Sequence, residues 1–266
     1  MKKISFIGAG RMASAIVKGI LDKNLCLPRD ISCCAGNDET GKILAKKTGI
    51  EFYDNANNLP LETELLILAC KPQQLDNIDP AIIRLAQGKT ILSIVAGKQV
   101  ATLKEMFKGA RLVIRSMPNT PGSIGEGFTG YSPSQKLGPE DKSVIEGILG
   151  SLGDVLEMPE PWIDLVTAIS GSGPAYFFEF TAALAEAGKQ LGFPDEIADR
   201  LARRTFIGAA KLLEQSEEDP VALRIAVTSP GGTTQAALET FEAANLRKLV
   251  AKAATAAHTR SLELSK

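Results

Sequence analysis

The first half of the chain alternates short apolar runs with helical patterns. Residues 65–69 are apolar without interruption, which is typical of a parallel strand that is covered on both faces. The pattern predicts strands at residues 3–7, 31–35, 65–69, 90–95, 112–114, 128–131 and 155–158, and helices at residues 11–24, 39–47, 80–86, 100–107 and 140–152. Regular alternation of buried strands and helices indicates a doubly wound, mostly parallel sheet of the Rossmann type.

The second half of the chain is helical in pattern throughout and begins after Pro159-Glu160-Pro161. We therefore expect an α/β domain at residues 1–158 and an all-α domain at residues 159–266. The helix predicted at residues 175–191 has an apolar stripe and further apolar side chains off that stripe: Tyr176, Phe177, Phe178, Phe180, Ala182, Leu184, Ala185 and Leu191. Because such a helix must be buried on several sides, a second copy of the chain is the expected cover, which predicts a homodimer.

The charge balance and the histidine content of the chain argue against several classes of function. The chain has 266 residues, 30 Lys and Arg against 31 Asp and Glu, and one histidine, His258. A net charge of −1 predicts neither a nucleic-acid partner nor an anionic membrane surface. A single histidine excludes His-rich zinc sites, so no metal is expected, and it disfavours Ser–His or Cys–His catalysis.

The cysteines and the hydropathy of the chain indicate in which cellular compartment the protein is found. The four cysteines, Cys26, Cys33, Cys34 and Cys70, form no CxxC pair and are expected to be reduced core residues. No apolar run approaches the roughly 18 residues that a membrane span needs. The sequence therefore predicts a cytoplasmic protein.

A glycine-rich turn, Gly8-x-Gly10-x-x-Ala13, follows the first predicted strand and opens the first helix. Gly8 permits a tight turn, Gly10 lets the backbone approach a pyrophosphate, and Ala13 lets the helix pack close to the strand. The free N–H groups of the helix then face the phosphates. This context predicts dinucleotide binding, and the alternative is a glycine-rich turn in an unrelated α/β domain.

The end of the second strand bears on the choice of cofactor. NAD-binding domains place an acidic side chain there for the ribose hydroxyls, whereas this chain has the small neutral residues Cys34-Ala35-Gly36-Asn37. Asp38 is expected to cap the next helix. The pattern favours NADP(H), although no arginine is present there for the 2′-phosphate, so the preference stays open.

Two loops leave the predicted sheet at its carboxyl edge, where open α/β sheets bind ligands. The first loop is Ala69-Cys70-Lys71-Pro72, in which the side chain of Lys71 can face the cofactor or the substrate. The alternative is that Lys71 is a solvated lysine at the end of a strand. The loop at residues 115–122, which contains Asn119, has two prolines and is therefore rigid enough to form a wall of the ligand site. The alternative is a crossover loop that has only a structural role.

Two further loops open helices in the second half. Ser170-Gly171-Ser172-Gly173-Pro174-Ala175 has small residues followed by proline, a helix-start signal that can also bind an anion. The second loop, Thr228-Ser229-Pro230-Gly231-Gly232-Thr233-Thr234, leaves several backbone N–H groups free at a helix start, which suits a carboxylate. Its alternative is a helix cap without a ligand.

Taken together, these blocks resemble the pyrroline-5-carboxylate reductase family, and the resemblance runs nearly end to end. It is carried by GAGRMASA, ACKP, SIVAG, IRSMPNTP, SGSGPAY and LRIAVTSPGGTTQAALETFE. The resemblance implies reduction of 1-pyrroline-5-carboxylate to L-proline with NAD(P)H. It also implies an N-terminal Rossmann domain and a helical C-terminal domain that interlocks with a second subunit, and some members assemble rings of dimers.

The resemblance also implies roles for individual residues. The expected cofactor-binding residues are Gly8, Ala9, Gly10, Arg11, Met12, Ala13, Ala35, Asn37, Asn55, Ala69, Cys70, Lys71, Pro72, Val95, Ala96, Gly97 and Asn119. The expected substrate-binding residues are Glu217, Ser229, Gly231, Gly232, Thr233 and Thr234. Thr234 matches the position that hydrogen-bonds the ring nitrogen, and Thr234 and Lys71 are the candidate catalytic residues.

Other functions share parts of this plan. A β-hydroxyacid dehydrogenase or an imine reductase has a similar architecture, but the hydroxyacid enzymes rely on a lysine on a helix of the C-terminal domain and lack SPGGTT. A regulator that senses NADP(H) without turnover is the alternative from another class. Such a sensor would not need the loop at residues 229–234, so changes there would leave its ligand response intact.

Overall fold

The computed structural model describes residues 3–36 and 39–265 of the chain. Within them the strands are β1 (Ile4–Ile7), β2 (Ile31–Cys34), β3 (Glu51–Tyr53), β4 (Leu65–Leu68), β5 (Thr90–Ser93), β6 (Leu112–Met117), β7 (Gly127–Pro133) and β8 (Gly153–Glu157). The α-helices of the first half are α1 (Arg11–Asp22), α2 (Thr40–Thr48), α3 (Pro72–Leu75), α4 (Pro80–Leu85), α5 (Val100–Met106) and α6 (Pro139–Leu149). Those that follow are α7 (Pro161–Val166), α8 (Gly173–Gln190), α9 (Asp195–Gln215), α10 (Pro220–Ala226), α11 (Thr233–Ala243) and α12 (Leu246–Leu264).

The strands form one sheet in the order β3-β2-β1-β4-β5-β6-β7-β8. Pairing is parallel from β3 across to β6. β7 runs antiparallel to β6, and β8 is parallel to β7. The predicted doubly wound, mostly parallel sheet is confirmed, and so is the helical character of the described residues after Pro159.

The central strands of this sheet are buried on both faces, which explains their uninterrupted apolar runs. Leu65 and Ile67 belong to the core cluster that α1 and α6 cover. Leu66 and Leu68 belong to the opposite cluster, which α3, α4 and α5 cover. Because neighbouring side chains on a strand point to opposite faces, a strand covered on both sides must be apolar at every position.

The order of the strands places a crevice at the centre of the sheet. From β1 the chain moves outward to β2 and β3, then returns to the other side of β1 and continues through β4, β5 and β6. The loops that leave β1 and β4 therefore turn to opposite faces at the carboxyl edge. Gly8 follows β1 and Ala69 follows β4, so both lie at this point of divergence.

Several elements differ from the sequence prediction, and two of the differences concern strands β3 and β5. Strand β3 was not predicted, because it has three residues and its side chains are exposed or half-buried, so no apolar run marks it. Strand β5 ends at Ser93 instead of residue 95, since the backbone N–H of Val95 bonds to the Ser93 hydroxyl and leaves the sheet.

The compact units of the chain also differ from the predicted boundary at residues 158 and 159. The first unit comprises residues 1–172 together with residues 257–266, and the second comprises residues 173–256. The reason is that α7 packs on the sheet. Ile163 is fully buried there, and Asp164 makes an ion pair with Arg115 of β6.

The second unit exposes much of its apolar surface. The buried residues of α8 and α9 are small: Gly173, Ala185, Ala198 and Ala202. Along α8, Phe177, Phe178 and Leu191 are 57%, 64% and 84% exposed. Ring contacts join Phe177 to Phe206 and Phe180 to Phe241, but Phe177 and Phe180 remain 57% and 47% exposed.

None of the helices in the described part of the chain has the length and the apolar character needed to cross a bilayer.

Candidate functional site

The turn after β1 can be made only with glycine at position 8. Gly8 has a φ of +106°, and a β-carbon placed on it would lie 2.6 Å from the carbonyl oxygen of Ala69. Its N–H donates to the carbonyl oxygen of Cys34 at 2.8 Å. The loops after β1, β2 and β4 thus meet within hydrogen-bond distance at the carboxyl edge of the sheet.

The N-terminus of α1 opens from this turn toward free space. Gly10 is the N-cap residue with a φ of −69°, and a β-carbon on it would have no atom within 4 Å. No side chain caps this helix end. Behind it, Ala9 and Ala13 are buried against the sheet, so the helix lies close to β1. Uncapped N–H groups and the positive end of the helix dipole favour an anion here.

A cleft of about 900 Å³ surrounds this helix end. Gly10, Arg11 and Met12 line it, and Arg11 supplies a positive charge. Thr120, from the predicted loop at residues 115–122, also lines the cleft, together with two residues that sequence reasoning missed: Thr40 at the start of α2 and Ser123 in the loop after β6. Their signal in the sequence is weak, since it consists only of small hydroxyl side chains shortly after a strand.

The loop after β4 extends the same edge. The N–H of Lys71 donates to the side-chain oxygen of Gln74 at 2.9 Å, and Pro72 begins α3. The side chain of Lys71 is exposed, while Ala69 and Cys70 are half-buried. Gln74 also approaches Gly36 in the loop after β2, which Ala35 begins. Asn37, a predicted cofactor residue, lies outside the described residues.

The thiols at this edge are held protonated. Burial raises the pKa of Cys70, against a small opposing effect of a backbone hydrogen bond. Burial also raises the pKa of Cys34, and the carboxylates of Asp79 and Asp54 add to the effect. Since the thiolate is the nucleophilic form of cysteine, neither residue is suited to covalent catalysis.

The loop after β5 contributes a glycine in the left-handed region. Val95 is buried, Ala96 is half-buried, and Gly97 has a φ of +75°. The N–H of Ile94 donates to the carbonyl oxygen of Leu68, which ties this loop to the end of β4. The predicted residues around Val95 therefore lie beside those around Ala69.

Two predicted asparagines already have partners within the protein. The side-chain oxygen of Asn55 accepts from the N–H of Asn57 at 2.8 Å, in the turn after β3. Asn119 donates to the Ser170 hydroxyl at 2.9 Å and accepts from the N–H of Phe128 at 3.0 Å. Asn119 therefore fixes the loop after β6.

The small-residue loop of the second unit forms the N-terminus of α11. Gly232 is the N-cap residue, its N–H donates to the Ser229 carbonyl oxygen at 3.0 Å, and no side chain caps the helix. Gly231 has a φ of +70°, and its N–H donates to the side-chain oxygen of Gln235 at 2.7 Å. Thr233 is exposed and Thr234 half-buried. The first turn of α11 thus presents uncapped N–H groups beside a threonine hydroxyl.

Glu217 does not belong to that loop. It lies exposed in the turn between α9 and α10, where the N–H of Glu218 donates to the Ser216 hydroxyl. A cavity of about 920 Å³ within the second unit adjoins the loop through Thr228 and Gln235, and Glu217 is not among its lining residues. In residues 3–36 and 39–265, no group of three or more His, Cys, Asp or Glu side chains has a geometry that could hold a metal ion.

Two family models match separate parts of the chain. Residues 160–264 match the family model described as pyrroline-5-carboxylate reductase dimerisation. Residues 3–97 match the model described as NADP oxidoreductase, coenzyme F420-dependent. The first unit therefore carries a pyridine-nucleotide-binding region, and the second lies within a region of the oligomerising type.

Individual relatives match over the whole chain. Pyrroline-5-carboxylate reductase from a Synechocystis strain is 34% identical, over 99% of this chain and 98% of that protein. The structure of a pyrroline-5-carboxylate reductase from Coxiella burnetii is 34% identical with a TM-score of 0.90, covering 100% of this chain and 99% of that one. The Plasmodium falciparum pyrroline carboxylate reductase, solved with NADP bound, is 28% identical with a TM-score of 0.84, covering 100% and 98%.

The glycine-rich turn, the uncapped helix ends and these full-length matches agree, and the chain is an oxidoreductase that belongs to the pyrroline-5-carboxylate reductase family.

Proposed function

We propose that this protein reduces 1-pyrroline-5-carboxylate to L-proline with a reduced nicotinamide cofactor. The observation that carries the proposal is the match to reductases of this name over nearly the full length of both chains. The reaction needs little acid–base machinery, which suits a chain with one histidine. A hydride passes to the imine carbon, and the imine nitrogen gains a proton.

The cofactor binds along the carboxyl edge of the sheet in the first unit. The open space at Gly10 and the uncapped start of α1 fit a pyrophosphate, and the close approach of Gly8 to Ala69 holds that turn in place. When bound, the cofactor supplies the hydride. The residues proposed to line its site are Gly8, Ala9, Gly10, Arg11, Met12, Ala13, Ala35, Asn37, Asn55, Ala69, Cys70, Lys71, Pro72, Val95, Ala96, Gly97 and Asn119.

NADPH is the preferred form of the cofactor. The residues directly after β2 are Ala35 and Gly36, so neither of them repels a 2′-phosphate. Arg11 lines the cleft at the start of α1 and adds positive charge on this side. The relative from Plasmodium falciparum was solved with NADP. A KM for NADPH at least tenfold below that for NADH is the expected result, and equal values would contradict the preference.

The substrate carboxylate binds at the start of α11. The backbone N–H groups there face no capping side chain, and the substrate-binding residues are Ser229, Gly231, Gly232, Thr233 and Thr234, with Glu217 near the amine. The hydroxyl of Thr234 orients the ring nitrogen, because a threonine hydroxyl is too weak an acid to drive protonation by itself. Lys71 is the second catalytic candidate, since its exposed ammonium group lies at the end of β4. Hydride transfer requires the reacting atoms to lie about 3–3.5 Å apart.

The functional assembly is a homodimer, and a ring of dimers is the alternative. The exposed aromatic side chains of α8 need a cover, and residues 160–264 match a dimerisation model. Measurement of the molar mass in solution separates the dimer from a larger ring and from a monomer. The location is the cytoplasm, in keeping with four free cysteines. Detection of the protein in the cytoplasmic fraction of its cells tests this.

Purified protein should oxidise NADPH in the presence of pyrroline-5-carboxylate and form proline in equal amounts. Parallel reactions with NADH measure the cofactor preference, and reactions with an acyclic imine measure the substrate class. Tight binding of NADPH without turnover of any imine would contradict the reductase function and favour a nucleotide-sensing role.

A matched pair of variants tests the cofactor site. Gly10 and Gly138 are both N-cap residues, with φ of −69° and −72°, and at both a β-carbon meets no atom within 4 Å. Gly10→Ala should raise the Kd for NADPH at least tenfold without lowering Tm, because its methyl group occupies space that the pyrophosphate needs. Gly138→Ala should leave both values unchanged. Equal Kd values for the two variants would place the pyrophosphate elsewhere.

A further inference from the structure

The last turns of α12 return to the first unit and contact the loop after β5. We define residues 257–265 as the C-terminal strap; they belong to the first compact unit, whereas the preceding residues of α12 belong to the second. A β-carbon on Gly97 would lie 2.8 Å from the carbonyl oxygen of Leu264 and 2.9 Å from its Cβ. The strap therefore lies directly against the backbone of the β5–α5 loop.

A buried ion pair anchors the strap. The Ser261 hydroxyl donates to the Asp164 carboxylate at 2.7 Å, and Ser265 donates to the same oxygen at 3.4 Å. The guanidinium of Arg115, on β6, donates to that oxygen at 2.8 Å. The exposures of Arg115, Asp164 and Ser261 are 2%, 3% and 4%, so these contacts form away from solvent.

The same cluster also holds the far end of the loop. Glu160 accepts from the N–H of Val100, the first residue of α5, at 2.6 Å and from Arg115 at 3.4 Å. Lys98, inside the loop, makes an ion pair with Asp76. The loop at residues 94–99 is thus fixed at β5, at α5 and, through Gly97, at the strap.

We propose that the C-terminal strap is a positioning element for cofactor binding. By contacting Gly97 it holds Val95 and Ala96 in the conformation that receives the cofactor, and the Arg115–Asp164 pair holds the strap. The strap touches neither substrate nor cofactor in this role. This inference rests on the proposed cofactor site at residues 95–97.

The sequence explains why this contact needs its particular residues. Gly97 is in the left-handed region, where any side chain is strained, and the space that a side chain would fill is taken by Leu264. Serine at position 261 carries a short hydroxyl donor, which reaches a buried carboxylate from one helical turn before Leu264. The geometry would be lost with a bulky residue at position 97 or an apolar residue at position 261.

Two variants of the full chain test the strap. Ser261→Ala removes the anchoring donor, and Leu264→Gly removes the Cβ that touches Gly97. For each variant we expect a threefold to tenfold higher Kd for NADPH, a matching rise in the KM for NADPH, and an unchanged kcat at saturating cofactor. A change of this size corresponds to the loss of about one hydrogen bond or a few contacts. Glu263→Ala is the control, since Glu263 is exposed and pairs with Arg260 in its own turn.

The Kd should be measured by fluorescence titration of NADPH, without substrate, well below the Tm of each variant. A lower Tm with an unchanged Kd would show that the strap is structural only, and would overturn the proposal. An equal change in Glu263→Ala would also overturn it. Absence of imine reduction in the wild-type protein would refute the proposed reaction, but the effect of the strap on NADPH binding would still be measured.

Discussion

The two compact units of this protein differ in how far their own helices and strands cover their apolar side chains. The first unit covers both faces of the central strands of its sheet with its own helices, and β1, β4 and β5 are buried at every position. The second unit buries mainly alanines between α8 and α9 and leaves phenylalanines exposed. One chain can therefore complete the first unit, whereas the second needs more apolar surface than the chain itself supplies. With the proposed sites, cofactor binding belongs to a self-contained unit, and substrate binding belongs to a unit that we expect to depend on assembly.

Polar residues on the exposed face of α8 should break the assembly and produce the largest effect. The double substitution Phe177→Asp with Phe178→Asp removes two large apolar side chains from the interface, at about 1.5–3 kcal/mol each. We expect the dimer dissociation constant to rise at least a hundredfold. Sedimentation over a range of concentrations measures it.

The control for this pair is Leu61→Asp, because Leu61 is 79% exposed on the first unit. It should leave the dimer intact. The α8 variant should also lose turnover while binding NADPH within about twofold of the wild-type affinity, since the cofactor site belongs to the first unit. A dimeric double variant, or loss of NADPH binding together with the dimer, would contradict the comparison.

Within the first unit, the buried ion pair should contribute more to the free energy of unfolding than surface ion pairs do. Asp164→Ala leaves the guanidinium of Arg115 buried without its carboxylate and should lower the free energy of unfolding by about 3–5 kcal/mol. Asp141→Ala breaks an equally short pair with Arg111, which is 46% exposed at its side chain, and should cost no more than about 1 kcal/mol. Urea unfolding followed by circular dichroism compares them. Similar losses would show that burial does not distinguish the two pairs.

The loop of the second unit should affect catalysis and not cofactor affinity. Thr234→Ala removes one hydroxyl donor, and we expect kcat/KM for the imine to fall about tenfold, the value of one hydrogen bond of about 1.4 kcal/mol. Thr234→Ser should recover most of the activity. The Kd for NADPH should stay constant in both. Normal turnover of Thr234→Ala across the pH range would exclude the orienting role.

The smallest effect should be the contribution of Asp164 to the fall in unfolding free energy at low pH. Burial by itself raises the pKa of Asp164, but hydrogen bonds from Arg115 and Ser261 outweigh it, so the folded-state pKa lies below the ordinary value. Its contribution to stability is complete above the unfolded pKa of about 3.9 and is lost as the pH falls through the lower folded value. Asp164→Asn should flatten the decline in unfolding free energy below about pH 4. An equally steep decline in this variant would assign it to other carboxylates.

The sequence by itself determined the parts of the molecule that local patterns encode. The continuous apolar run at residues 65–69 marked a strand covered on both sides, and the glycine-rich turn after β1 marked the start of α1. The apolar residues on more than one face of α8 indicated that the second unit needs a cover. These features follow from side-chain periodicity and backbone conformation, which depend on residues close in the chain.

Tertiary structure alone decided the features that join distant residues. It placed the end of α12 against Gly97, more than 160 positions earlier, and brought Ser261 to the Asp164 carboxylate. It also placed α7, which lies beyond residue 158, in the first compact unit, because α7 packs on β6 and β7. It occupied the side chain of Asn119 with Ser170 and Phe128. No local pattern encodes such contacts, because each depends on how separate helices and strands pack against one another.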